Sequence, residues 1–260
     1  MLNKIISAAF VALITCSTES NAGMSFGTSL ERYHWQEYTN NGPFFPTEAG
    51  NRYAVNLNWV QDAEKGLLYG YRGRFYTGRV HYDTYYQMSH MPVSTNTSYS
   101  GGSHEGHLYY RTNMMGLKLD FVGGLGLDAW QRSIANGDMQ QIEDYIILFV
   151  RGGINLDHPF NGAGFHGGGG LKYPVWAAEN AHLQKRGYYS NPTIHPGKAT
   201  SPYAEIGYRI NQDWDIVGYY DSWRFKQSDA VITANSSGTW LIWQPKSNMD
   251  AYGIRAMFSF

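Results

Sequence analysis

Cysteine is almost missing from this chain of 260 residues, and the single one, Cys16, lies so near the start that it is expected to leave with a leader cleaved after residue 22. The rest can form neither a disulfide nor a thiolate metal site. Charge is scarce too, at 16% Asp, Glu, Lys and Arg with a formal net charge of −1. A nucleic-acid partner needs a basic face, which this balance excludes. Beyond residue 22 no apolar run approaches the ~20 residues of a helical span, so helical membrane proteins are excluded as well.

Aromatic residues and glycine are plentiful instead: 21 Tyr, 8 Trp, 12 Phe and 30 Gly. Two classes fit, a soluble all-β sandwich and a membrane barrel with aromatic girdles at the headgroups. The first residues set the compartment. Lys4 precedes the apolar run Ile5 to Thr15, and Ser20-Asn21-Ala22 offers small residues to a signal peptidase. Residues 1–22 are therefore expected to be a cleaved signal peptide and 23–260 one barrel domain. A second reading takes Leu13-Ile14-Thr15-Cys16 as a lipobox, with Cys16 lipidated, although Thr15 stands where Gly, Ala or Ser is usual.

Period-two alternation runs through the chain. Tyr53, Val55, Leu57 and Trp59 share one face against Arg52, Asn56 and Asn58; Leu125 and Leu127 oppose Asp128, Trp130 and Arg132. Tyr252, Ile254, Phe258 and Phe260 oppose Arg255 and Ser259. Strands are predicted at 24–38, 50–61, 66–86, 104–122, 124–134, 142–155, 164–177, 201–210, 214–227 and 248–260. Short turns fall at 61–66, Gly123-Gly124, 156–163 and 211–213. Long loops fall at 39–49, 87–103, 135–141, 178–200 and 228–247. Short and long alternate as periplasmic turns and extracellular loops do. The count is ten, with eight and twelve also admitted, and an even count closes the sheet without an edge. In the first strand Phe26, Thr28 and Leu30 suggest one lipid face while Tyr33 and Trp35 suggest the other, so a bulge is expected near Glu31-Arg32.

A signal peptide, alternating strands and the terminal Ala-Met-Phe-Ser-Phe260 resemble bacterial outer-membrane β-barrel proteins. The resemblance covers the whole mature chain as an architecture. It implies an antiparallel transmembrane barrel in a Gram-negative cell outer membrane, with Phe258 and Phe260 as signal to the barrel-assembly machinery. It also implies contact with outer-membrane lipid and lipopolysaccharide, and a monomer. No cofactor and no metal are expected.

Charges on the predicted lumen faces are Arg52, Arg72, Arg74, Lys118, Asp120, Asp128, Arg132, Glu143, Arg151, Glu205, Arg209 and Arg255. Both signs inside a narrow barrel should pair, because an unpaired interior charge costs several kcal/mol. A closed, ion-paired interior is the leading expectation; a narrow porin-like path favouring small anions is the alternative. For catalysis the weak candidates are His81, Asp83, His104 and His107, all near the predicted outer rim. An Asp–His couple there would echo the omptin proteases, which share the ten-strand size, but their full set of two Asp plus an Asp–His pair is not found. His104 and His107 point to opposite faces of a strand and make a poor chelate. Ser222 beside a histidine would read as a hydrolase dyad, on the evidence of one serine among many. Gly124-Leu-Gly126 and Gly167 to Gly170 are expected to clear space for large lumenal side chains such as Trp130. The expected function is a non-enzymatic envelope or surface-interaction role. The alternatives are a narrow channel and a rim hydrolase of peptides or lipid A.

Overall fold

The structure, a computed structural model, describes residues 22–39, 42–61, 63–85, 91–136, 139–160 and 163–260. The predicted signal peptide, with Cys16 and all but the last of its residues, lies outside them. Seven long antiparallel strands follow one another as a meander: β1 (Ala22–Thr39), β2 (Gly42–Gln61), β3 (Gly66–Tyr85), β4 (Pro92–Met114), β5 (Leu117–Asn136), β6 (Met139–Phe160) and β7 (Ala163–Asn180). Two short strands, β8 (Thr193–Ile194) and β9 (Gly197–Lys198), precede β10 (Ser201–Arg209) and β11 (Trp214–Lys226). A hairpin of β12 (Val231–Asn235) and β13 (Gly238–Ile242) leads to β14 (Lys246–Ser259). β7 pairs with β10, β10 with β11, β11 with β14 and β14 with β1, so ten strands close on themselves. Closure leaves the ten-stranded ring with no free edge strand, which hydrocarbon requires.

Alternation sorts the side chains as the pleat dictates. Leu30, Tyr53, Leu108, Leu125, Leu148, Ile206 and Ile254 project outward and are exposed. The charged residues between them point inward. This apolar outside with a charged inside is that of a barrel set in a bilayer. One edge of the apolar belt is marked by a polar row that crosses five strands in register: Arg32, Asn51, Arg79, Ser98 and Ser133. A bilayer needs about 9–11 residues of tilted strand. With 18 to 23 residues each, β1 to β7 extend well past that row.

The strand count and the ten strand positions agree with the sequence reading; several boundaries do not. The turn between β4 and β5 lies at Met115-Gly116, not at Gly123-Gly124. Met115 and Gly116 adopt φ of 54° and 80°, the left-handed pair that a tight hairpin demands. Gly123 and Gly124 sit inside β5, and a Cβ on Gly124 would lie 2.6 Å from the His107 ring. The expected long loops at 39–49, 87–103 and 135–141 are mostly strand, because the wall continues beyond the bilayer where both faces are polar. The strict short–long alternation therefore fails for three of the five loops. The bulge expected at Glu31-Arg32 is also absent. Tyr33 and Trp35 are lumenal and fully buried while Leu30 faces lipid, and the register shift comes at Gln36/Glu37.

Candidate functional site

Alternate residues of ten strands meet inside the barrel, and the lumen is a stack of side-chain layers. At the turn end Leu68, Tyr109 and Val122 form a small apolar seal with Val60 and Ala63 packed on it. The same end holds two ion pairs, Arg111 with Asp120 in two bonds of 2.7 and 2.8 Å and Arg209 with Asp157 at 3.1 Å, and a hydrogen bond between His166 and Asp215 at 2.9 Å.

The middle layer is the most charged. Glu31 accepts from Arg52 at 2.6 Å, from Arg74 and from the Tyr219 hydroxyl at 2.8 Å. Glu205 accepts from both ends of the Arg72 fork, at 2.8 and 3.2 Å, and from Arg255 at 3.2 Å. Glu105 holds Arg151 and lies 3.0 Å from His107, while Lys172 reaches Asp221 at 2.6 Å. Aromatic faces carry the cations as well, with the Arg52 guanidinium 3.9 Å from the Tyr33 centroid and Arg151 3.8 Å from that of Tyr203. A cavity of about 70 Å³ lies between the Arg72, Arg151 and Arg255 side chains.

Above the cavity an aromatic layer fills the bore. Tyr33, Trp35, Tyr99, Trp130, Tyr145, Phe149 and Trp223 are all buried. Trp130 stacks on Tyr145 at 4.9 Å, and Phe149 meets Trp223 edge-on at 5.0 Å. Gly101 makes room for this layer, since a Cβ there would lie 2.5 Å from that of Trp130. Asp128 is tied to it through neutral donors, the Trp223 indole at 3.0 Å and the Tyr76 hydroxyl at 3.3 Å.

The uppermost layer, toward the loop end, inverts the charge balance. Arg132 pairs with Glu48 at 2.6 Å, Glu143 at 2.7 Å and Glu37 at 3.5 Å. Glu179 lies in the same field, and its Oε2 has no hydrogen-bond partner within the protein. Burial pushes the Glu37 carboxyl up to about 7 against the pull of Arg132. Burial and then the neighbouring Glu143 raise Glu179 well above the usual carboxylate range. Among the described residues no group of acidic and histidine side chains is arranged to hold a metal ion.

The loop end carries an ordered cap on one side. β8 pairs with the end of β7, and β9 pairs with the end of β11. Tyr189 donates its amide to Ala234, and Tyr188 bridges to Asn235, so the β7–β10 loop and the β12–β13 hairpin act as one unit. Thr233 is buried against Ser190, turning the other face of the hairpin outward. On that face Ile232 stands opposite Leu241, with Trp243 next in line, exposed by 70, 60 and 48%.

Each candidate residue has a definite place. Arg52, Arg72, Arg74, Arg151, Glu205 and Arg255 share the middle layer, and Arg132 and Glu143 the upper one. At the turn end Asp120 pairs with Arg111 and Arg209 with Asp157. Asp128 faces the lumen but makes no ion pair, and Lys118 is half-buried at the turn end. Phe258 and Phe260 point outward, where Phe258 packs on Trp214 at 5.3 Å. The histidine candidates do not converge. His107 is inside, against Glu105; His104 is outside, 2.5 Å from the Tyr71 hydroxyl. His81 and Asp83 meet at 3.1 Å beside Ser94, but exposed, and Ser94 and Asp83 both address the same Nε2. A relay needs the carboxylate on the opposite ring nitrogen. Ser222 is buried and donates to the Pro202 carbonyl, with no histidine in reach.

Pattern reading missed the ionic partners Glu31, Glu37, Glu48, Glu105, Lys172 and Asp221, and the buried Glu179 beside them. The chain has the fold of an outer-membrane β-barrel. No protein-family model matches it, and no curated protein matches it in sequence. Solved structures do. The outer membrane protease OmpT from Escherichia coli is 13% identical over 95% of this chain and 100% of its own, at a TM-score of 0.48. The transport unit of the autotransporter AIDA-I from the same species is 10% identical over 95% and 92%, at 0.45. An outer membrane channel from Pseudomonas putida F1 is 13% identical over 94% and 97%, at 0.43. A fold by itself does not set an activity, so function has to be read from this chain's own residues.

Proposed function

We propose that this protein is a closed, non-conducting barrel whose role is surface interaction through the cap at its loop end. The observation that carries the reading is the apolar face of Ile232, Leu241 and Trp243, presented on a hydrogen-bonded two-loop unit outside the lipid belt. Apolar side chains gathered on an ordered loop surface mark a contact site. The lumen supports the same reading, because the aromatic layer and the Leu68–Tyr109–Val122 seal block the bore on either side of the cavity. The loop end faces the cell exterior, and the partner is an apolar patch on another surface.

Adherence tests this directly. Cells displaying the chain should adhere to polystyrene several-fold better than cells displaying an Ile232→Ser, Leu241→Ser, Trp243→Ser variant at equal folded level. Equal adherence would sink the role of the hairpin. Steady conductance steps from the folded barrel in a planar bilayer would sink the closed lumen.

A further inference from the structure

The middle layer does not balance. Glu31 is shared by Arg52 and Arg74, and Glu205 by Arg72 and Arg255, while Glu105 serves Arg151 and Asp221 serves Lys172. Six cations therefore face four carboxylates. Counting the nearby Asp128 still leaves one cation unmatched. Five of the six are arginines, which stay protonated in proteins. A guanidinium cannot discharge itself as a buried lysine or carboxyl group does, and an uncompensated charge in a low-dielectric lumen is strongly unfavourable.

Hydrogen bonding leads to the same place. The Nε donors of Arg74, Arg151 and Arg255 are buried and find no acceptor in the protein. The Arg151 side chain is only 8% exposed, and all three arginines line the cavity of about 70 Å³. Asn56, Asn58 and Ser103 add neutral polar groups to the same wall. A space of this size admits one small ion with a few waters, whereas a sugar-sized anion is too large.

We infer that the middle of the lumen holds one monovalent inorganic anion of halide size, bound by the unmatched arginines around the cavity. The ion completes the charge balance of the layer. Apolar layers lie above and below it. This site depends on the closed lumen and not on the hairpin.

The test is to refold the full chain in sodium bromide and in sodium gluconate at equal ionic strength, gluconate being too large for the cavity. The urea midpoint should rise with bromide concentration and stay flat in gluconate, as linkage to a ligand of the folded state requires. Crystals grown in bromide should give one anomalous peak among Arg74, Arg151 and Arg255. Arg255→Gln removes the one excess positive charge of the layer; it should lose the bromide dependence and the peak. Equal midpoints in the two salts without a peak would overturn the site, as would a bromide dependence that survives in Arg255→Gln. Should that variant not fold, the wild-type anomalous map decides alone. Conductance steps would overturn the closed lumen and leave a bromide peak standing, so the two failures are distinguishable.

Discussion

Two layers of this lumen are built from the same groups, arginine and carboxylate, in opposite proportion. In the middle, Arg72 and Arg255 share Glu205, and Arg52 and Arg74 share Glu31. Across the aromatic layer, the one guanidinium of Arg132 is met by Glu37, Glu48 and Glu143, with Glu179 beside them. The chemistry of the majority group decides how each imbalance is resolved. A carboxylate can take a proton, and burial drives Glu37 and Glu179 to do so. An arginine cannot lose one, so the middle layer needs an ion from outside.

The largest effect should come from removing the minority group of the upper layer. Arg132→Leu leaves four buried carboxylates unopposed and should cost about 3–5 kcal/mol. The heat-modifiable mobility of the folded form should be lost on refolding at pH 8 and recovered at pH 5. Failure at both values would mean that Arg132 matters for packing and not for charge.

Next comes the pH profile itself. Glu37 titrates at about 7 when folded against 4.5 as its ordinary value, so the folded state holds the extra proton between them. Its contribution is fully present below about 4.5 and is lost as pH rises through about 7, a fall of roughly 3 kcal/mol at ~1.4 kcal/mol per unit. Urea midpoints across that window should fall for wild type and flatten for Glu37→Gln. A profile unchanged in the variant would assign the slope to Glu179 instead.

The barrier between the two layers can be strained without touching either charge set. Gly101→Ala drives a methyl against Trp130 and should destabilise by about 1–3 kcal/mol. The pH profile should keep its shape; a changed shape would show that the aromatic layer also tunes the carboxylates. Smallest is a control remote from both, Met115→Gly. It relieves a left-handed non-glycine residue and should raise the unfolding free energy, read from urea curves, by about 0.5–1 kcal/mol. No gain would mean that the exposed turn holds no strain.

How far the sequence speaks depends on the level. Within the bilayer the alternation of Tyr53 and Val55 with Arg52 gives strand, face and register, because lipid and lumen demand opposite chemistries. Beyond it that contrast vanishes, and the strand ends at 42–49, 92–103 and 139–141 read as polar loop. Aromatic residues mislead where the lumen itself is aromatic. Tyr33 and Trp35 look lipid-facing, which hides Glu31 and Glu37 on their face. The turn at Met115-Gly116 lost to Gly123-Gly124, whose glycines serve packing against His107 rather than chain reversal. The hairpin of the cap was legible: Asn235 and Gly238 flank a turn between the apolar pairs Val231-Ile232 and Leu241-Ile242, a β-hairpin pattern within a stretch read as loop. The layer imbalances were not legible, because they depend on which side chains meet across the bore.

The wall is not of even height. β10 has 9 residues where its neighbour β7 has 18, which leaves a slot in the cylinder at the loop end. The short strands β8 and β9 stand in that slot, one hydrogen-bonded to β7 and the other to β11. They work as a shutter, and what they shut out is water arriving sideways at the carboxylates around Arg132. Foreign sequence grafted into the tip at 236–237 should leave the shutter in place, whereas the same insertion at 195–196 should open a window in the cylinder. The two loops are therefore not interchangeable ports, although both lie at the same end of the barrel.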